Sequence, residues 1–337
     1  MNNLFKKAAL FTDLHYGAKS NSELHNKDCD DFIDWFIKTA KAENCDTCVF
    51  LGDYHNNRAT MNLKTMDYAV KGLEKLGKHF SQTFFIPGNH DLFFKDQRSV
   101  HSTPWAKHIP NITFVDAPIT IDNATLCPWL VGDEWQKIQK LSGQYIFGHF
   151  EVPTFAMNAK VEMPDNGEIQ LDHFTNYQKA FSGHFHKRQQ RKNLVYIGNA
   201  FPHNFSDAWD DDRGMAILEW GEEPKFVAWD EQPTFRTVKL SQLIDEAEKI
   251  ILPKQYLRVG IDIDISFEEA CFIKEKFLED YNIRELVLIP EKKDLDASSD
   301  VEVKKFESVN QIVCSQLVNI QSETFNSKTL LDLFNSL

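Results

Sequence analysis

Seven residues of metal-ligand type stand in short clusters along the first two-thirds of the chain. They are Asp13 and His15 in DLH, Asp53 in GDYH, Asn89 in GNHD, His149 in GHFE, and His184 with His186 in GHFH. Imidazole nitrogens combined with carboxylate and amide oxygens suit hard or borderline divalent ions. The D-x-H and H-x-H pairs are separated by a single residue, so both members of each pair can reach one small site. Asp53 is the carboxylate expected to bridge two ions. Paired ions lower the pKa of a bound water and stabilise negative charge developing on a reacting oxygen, so the chemistry expected of this set is metal-assisted hydrolysis.

The elements that must position these residues are legible as an alternation of strand-like and helix-like runs. Residues 8–12, 48–51, 83–86, 144–147 and 180–182 are β-rich, and each leads into one of the clusters. Residues 30–42 and 63–76 carry apolar side chains at helical spacing. The alternation predicts an α/β fold with the clusters at the carboxyl ends of strands, where open sheets bind ligands. Gly52, Gly88, Gly148 and Gly183 each precede a cluster, where the backbone leaves a strand and passes close to neighbours.

After strand-like runs at 195–198, 215–220 and 225–229 the polar clusters stop. Residues 256–265 alternate, 268–279 are helix-like and 285–289 strand-like, which predicts a small βαβ-type unit. Residues 291–300 are polar and without period. Phe306, Val309, Val313, Leu317 and Ile320, then Leu330, Leu331, Leu333, Phe334 and Leu337, predict a helical hairpin with a broad apolar face. The expected division is a main domain over 1–230, a small α+β capping domain over 231–290, a linker over 291–303 and the hairpin over 304–337, read as a docking element for another protein.

The chain of 337 residues is 42% hydrophobic and 26% charged, with 27 Phe, as expected of a globular protein. No stretch approaches the ~20 apolar residues needed to cross a bilayer. Six scattered Cys and the absence of a signal-peptide pattern at the N-terminus predict a reducing, cytoplasmic setting. Cys45 and Cys48 form a C-x-x-C without a second pair, so they are expected to be structural. The formal net charge of −13 argues against a chain that coats nucleic acid by bulk electrostatics. It leaves room for a nuclease whose metals or partner supply positive charge. Lone histidines such as those at 25, 79, 101, 108 and 173 are expected at the surface or hydrogen-bonded in the core.

The ordered set DLH, GDYH, GNHD, GHFE and GHFH resembles the motif of the calcineurin-like metallophosphoesterase superfamily over roughly the first 200 residues. The resemblance implies a two-sheet sandwich flanked by helices that holds two divalent ions, often manganese. Asp13, His15, Asp53 and His186 would hold the first ion, and Asp53, Asn89, His149 and His184 the second. His90 resembles the family's non-ligand catalytic histidine, with Asp91 expected to orient its ring or to cap the following segment. The YIGNAFP and DDRG stretches and the expected tail resemble SbcD-type recombination nucleases, phage-encoded members included. That implies manganese-dependent 3′–5′ exonuclease action on duplex DNA ends and endonuclease action on single strands, in DNA repair and recombination. An SMC-like ATPase docked on the hairpin and a homodimer within a heterotetramer are implied with it.

Relatives carry a DNA-positioning histidine three residues after the bridging aspartate. Here Asn56 stands there and His55 precedes it. His55, Asn56, Arg58, Phe93, Lys95 and Arg98, with Phe94, are the expected DNA contacts. The basic run Lys187, Arg188, Arg191 and Lys192 reads equally as a solvated turn. Two rival functions are a small-molecule or cyclic-nucleotide phosphodiesterase and a non-catalytic scaffold. Asn57 and Asp91 stand where protein phosphatases of the superfamily carry an arginine and a glutamate.

Overall fold

A computed structural model describes residues 2–157, 161–165 and 167–290. The linker at 291–303 and the hairpin at 304–337 lie outside the described residues.

The first sheet contains β1 (Lys7–Phe11), β2 (Thr47–Phe50), β3 (Gln82–Phe85) and β4 (Ile112–Phe114), all parallel, with β11 (Gly214–Glu219) and β12 (Lys225–Ala228) added antiparallel beside β1. The second has the order β5-β6-β7-β8-β10-β9, built from β5 (Ile119–Ile121), β6 (Ala124–Cys127), β7 (Tyr145–His149), β8 (Lys179–Gly183), β9 (Gln189–Arg191) and β10 (Leu194–Tyr196). Its four central strands are parallel and its two edge strands antiparallel.

Side-chain alternation decides which layer each residue enters. Leu10, Val49, Leu51, Phe84 and Ile86 meet Leu126, Phe147, Phe181 and Val195 between the sheets. Ala9, Phe11, Cys48, Phe50 and Phe85 face the opposite way, onto α2 (Glu23–Ala42) and α3 (Leu63–His79). Phe11, Phe32, Phe36 and Phe50 are fully buried in that layer, each stabilising the fold by ~1.5–3 kcal/mol. The two-sheet sandwich flanked by helices is therefore observed. The outer face of the second sheet is covered by 3₁₀ segments at Gly132–Lys140 and Leu171–Phe174 together with loops.

Helix α2 begins at Glu23, earlier than its apolar period indicates. Its first turns bury polar residues: the Asn26 side-chain oxygen accepts from the Gly17 N–H at 2.8 Å, and His25 donates to the His15 carbonyl at 2.9 Å. Between Gly17 and this helix lies a tight turn, α1 (Ala18–Asn21), with left-handed φ at Lys19, Ser20 and Asn21.

The C-terminal part of the described chain is β13 (Phe235–Lys239), α4 (Leu240–Ile250), β14 (Tyr256–Ile261), α5 (Phe267–Asp280) and β15 (Glu285–Pro290), a three-stranded parallel sheet with its own small core. Helix α5 starts with a reciprocal cap between Ser266 and Glu269. The sequence reading found β14, α5 and β15 but missed β13 and α4. Arg236 is buried in β13, where its guanidinium pairs with Asp211, and this obscures the strand's apolar alternation. The Arg284 guanidinium makes a two-pronged pair with buried Asp28 of α2, at 2.5 and 2.7 Å, and joins this unit to the main body. Among the described residues no helix is long and apolar enough to cross a membrane.

Candidate active site

The loops after β1 and β2 are zipped together. The Asp13 N–H donates to the Gly52 carbonyl, and the N–H groups of Leu14 and His15 both donate to the Asp53 carbonyl, at 2.9 to 3.1 Å. The candidate ligands on these loops take backbone conformations that side chains resist, with φ of 51° at Asp13, 55° at His15 and 60° at Asp53. His184, after β8, has φ of 92°. Strain of this kind persists where the surrounding structure imposes it, and it clusters at functional sites.

Two glycines permit the close approach. A Cβ on Gly88 would stand 2.2 Å from Asp53 Oδ1, and one on Gly52, at φ 104°, would stand 2.3 Å from His149 Nδ1.

The result is two groups of donor atoms that meet at Asp53. Asp13, His15 and His186 form one group, and Asp53, His149 and His184 the other. His15 Nε2 lies 3.7 Å from both Asp13 Oδ1 and Asp53 Oδ2, and His186 Nε2 lies 3.8 Å from Asp13 Oδ1. Asp53 Oδ2 is also 3.3 Å from His149 Nε2. Asn89 Oδ1 sits 3.1 Å from His149 Nε2 and 3.0 Å from His184 Nδ1. The seven expected ligand positions thus converge on one site.

The chemistry of this set fits cations. Asp13 Oδ1 and His15 Nε2 are buried with no hydrogen-bond partner, an arrangement that costs free energy unless a ligand fills it. His149 donates from Nδ1 to the Leu51 carbonyl at 2.6 Å, which directs Nε2 at the oxygens of Asp53 and Asn89. Burial would push the His149 ring down, but the Asp53 carboxylate raises it to about 9. Burial would likewise raise Asp13, but the His15 ring 3.7 Å away and the charges of His149 and His186 hold it at about 2. The Asp53 carboxylate thus favours positive charge at His149, as a site suited to a cation would.

His90 stands outside both groups. Its backbone N–H donates to Asp53 Oδ1 at 2.8 Å, and its ring donates from Nδ1 to the Asn56 carbonyl at 2.8 Å, which leaves Nε2 available to the adjacent cavity. Asn56, not Asp91, therefore orients the His90 ring, and the expectation for Asp91 is corrected. The Asp91 carboxylate is fully buried and accepts from the N–H groups of Gly88, Tyr54 and His55, so it does not cap the following segment either. It fastens the loop after β2 to the loop after β3. Burial, then repulsion from Asp53, raises it to about 6.

The expected DNA contacts separate on inspection. His55 is fully buried with Nδ1 against Ser102 Oγ at 2.9 Å, so it is neither a surface residue nor placed to touch a strand. Arg98 is committed to Glu134 through two bonds of 2.6 Å and to the carbonyls of Asp116 and Trp129. Its role is to hold a loop. Asn56 and His90 line a cavity, Arg58 is half-buried, and Phe93, Phe94 and Lys95 are exposed. Arg191 and Lys192 are exposed and pair with Glu162 and Asp172 around the β9–β10 hairpin, as a solvated turn would, whereas Arg188 is largely buried, donates to the Ile197 carbonyl and pairs with Asp212. His25 is a hydrogen-bonded core residue, and Cys45 and Cys48 are buried and free.

Several neighbours escaped the sequence reading. His203 is buried and donates from Nε2 to the Asp13 carbonyl at 2.8 Å, and Glu151 Oε1 lies 3.2 Å from His184 Nε2. Only the position of Glu151 two residues after His149 hinted at its place. Two cavities flank the centre and share no lining residue. One, about 470 Å³, adjoins His15, His90 and His186 and is walled by Lys19 over Tyr256 at 3.8 Å and Arg258 over Phe205 at 3.9 Å. The other, about 310 Å³, adjoins His149 and Glu151.

Comparison with known proteins agrees with this reading at the level of family. Residues 6–213 match the model of the calcineurin-like phosphoesterase family. The chain is 28% identical over 216 residues to a protein named exonuclease subunit 1 from Enterobacteria phage T4, covering 61% of this chain and 62% of that relative's length. Among solved structures, a dimetal phosphatase from Danio rerio is similar at 13% identity over 67% of this chain and 97% of its own, with a TM-score of 0.43. A nuclease from Pseudomonas putida is similar at 17% identity over 56% and 66%, with a TM-score of 0.30. A phosphoesterase from E. coli is similar at 10% identity over 67% and 94%, with a TM-score of 0.36. With more than half of its length matched by the family model and the donor atoms of the motif gathered at one site, the chain belongs to the calcineurin-like phosphoesterase family.

Proposed function

We propose that this chain hydrolyses phosphodiester bonds in DNA with two divalent ions, manganese by preference. The observation that carries the proposal is the pair of donor groups meeting at Asp53, with His90 beside them and outside both. In this proposal Asp13, His15, Asp53 and His186 hold one ion, and Asp53, Asn89, His149 and His184 the other. Two ions bound there would lower the pKa of a water and neutralise charge on the phosphoryl oxygens. Glu151 steadies the His184 ring and His203 steadies the Asp13 backbone, as outer partners of ligands commonly do. With the Nδ1–H held by Asn56, the His90 ring passes a proton from Nε2 to the leaving oxygen in its doubly protonated form, which burial disfavours and the Asp53 charge favours.

DNA as substrate is supported by the 28% identity to a protein named as an exonuclease subunit. The wall of Lys19, Arg258, Phe205 and Tyr256 beside His90 adds support, since cationic and aromatic side chains together suit a nucleic-acid strand. The proposed activities are 3′–5′ exonuclease action on duplex ends and endonuclease action on single strands, in DNA repair or recombination. A homodimer and an SMC-like ATPase partner in a cytoplasmic complex, with residues 231–290 as cap and 304–337 as docking element, complete the proposal.

The test is a set of labelled duplex and single-stranded DNAs incubated with manganese, with and without the ATPase. Hydrolysis confined to small phosphodiesters, with no DNA cut in either mixture, would overturn the assignment.

A further inference from the structure

The cavity beside His149 differs in character from the one beside His90. Trp129 forms one wall, with its ring centroid 5.3 Å from that of His184 and 6.0 Å from that of His149. Trp135 and Leu130 add further apolar surface, and Lys95, Asp96, Glu151 and Glu168 supply charged groups. Both indoles are held in place: Trp129 donates from Nε1 to the Lys95 carbonyl at 3.3 Å, and Trp135 stands edge-on to His173 at 5.3 Å.

A phosphate alone has no use for two fixed aromatic rings. Because the metal centre fixes a phosphate ester, the occupant of this cavity is the group esterified to that phosphate, and two indoles select a planar aromatic one. The volume of about 310 Å³ is at the lower end of small-ligand pockets, which run from ~300 to 1,000 Å³. That accommodates one nucleoside. His90, taken as the proton donor, adjoins the other cavity, so the nucleoside on this side is the one that keeps the phosphate.

We propose that this cavity is a nucleoside subsite, in which Trp129 and Trp135 stack on the unpaired base of the nucleotide that retains the phosphate. The proposal rests on the nuclease reading above and deepens it: the strand is read one unpaired base at a time, so a duplex must fray before it is cut. Stacking of a base on an aromatic side chain is sequence-tolerant, because every base has a π-face.

The test uses the manganese-loaded full chain and two labelled single-stranded oligonucleotides, identical except that one carries a single abasic residue. Loss of the stacked base is expected to slow cleavage about 10-fold or more at one of the two phosphates flanking the abasic residue. With Trp135→Ala, which leaves Trp129 in place, the difference in rate between the intact and abasic strands there is expected to shrink. Equal rates in the wild-type protein at both flanking phosphates would overturn the subsite, whether or not the variant folds. So would undiminished discrimination in Trp135→Ala. If neither strand is cut while bis(4-nitrophenyl) phosphate is hydrolysed, the nuclease reading itself fails and the subsite falls with it.

Discussion

His90→Ala separates the metal centre from the chemistry it serves. The ring is not among the converging donor atoms, and the bond that His90 gives to Asp53 comes from its backbone N–H, which alanine keeps. What the substitution removes is the ring, with one hydrogen bond of 2.8 Å to the Asn56 carbonyl. Stability should fall by only ~0.5–1.5 kcal/mol, the usual net worth of one such bond. Loss of a general acid lowers turnover by ~10²–10⁴-fold, or ~3–5 kcal/mol of barrier at ~1.36 kcal/mol per tenfold. The assay is turnover on labelled DNA beside elemental analysis of the same preparation. Loss of both ions in the variant would refute the reasoning, because His90 would then be a ligand and not a proton donor.

Gly88→Ala drives a Cβ to 2.2 Å from Asp53 Oδ1 and 2.4 Å from the Asp53 backbone N, so the variant should lose ~1–3 kcal/mol of stability and part of its metal, read by thermal melting and elemental analysis. Arg98→Ala breaks the two bonds to Glu134 and should cost ~1.5–3 kcal/mol in stability, while affinity for single-stranded DNA by fluorescence anisotropy stays at the wild-type value. A marked loss of affinity in a fully folded variant would restore Arg98 as a DNA contact. With His149 held at about 9 in the metal-free protein, manganese must displace a proton from its ring near pH 7.5. Affinity should therefore rise with pH up to about 9, and calorimetric heats should differ between buffers of different protonation enthalpy. Buffer-independent heats would count against a protonated His149.

The sequence exposed the site because its ligands sit at strand ends, where glycine, histidine and aspartate mark a turn that no core residue could replace. Asp13, Asp53 and His184 all fall where the chain leaves a strand, and the parallel sheets bring those ends to one edge. The bonds of Asp91 were hidden, because they run to backbone N–H groups up to 37 residues away and leave no mark on side-chain type. His55 was misread for a related reason: polar residues seldom advertise burial, and its partner Ser102 stands 47 residues further on. His203 was invisible because an isolated histidine after a proline fits no pattern. Short strands such as β4, β5 and β6 offer too few residues for an alternation to register. The early start of α2 was missed because its first turns bury His25, Asn26 and Asp28 in place of apolar side chains.

The central claim is that Asp53 joins two cation positions into one centre. Elemental analysis of chelator-stripped protein after reloading with manganese and removal of free metal tests it most directly, comparing the wild type with Asp53→Asn. The account predicts two ions per wild-type chain and loss of both, or retention of one weakly held ion, in the variant. A single ion in the wild type, or two ions retained by Asp53→Asn, would contradict it.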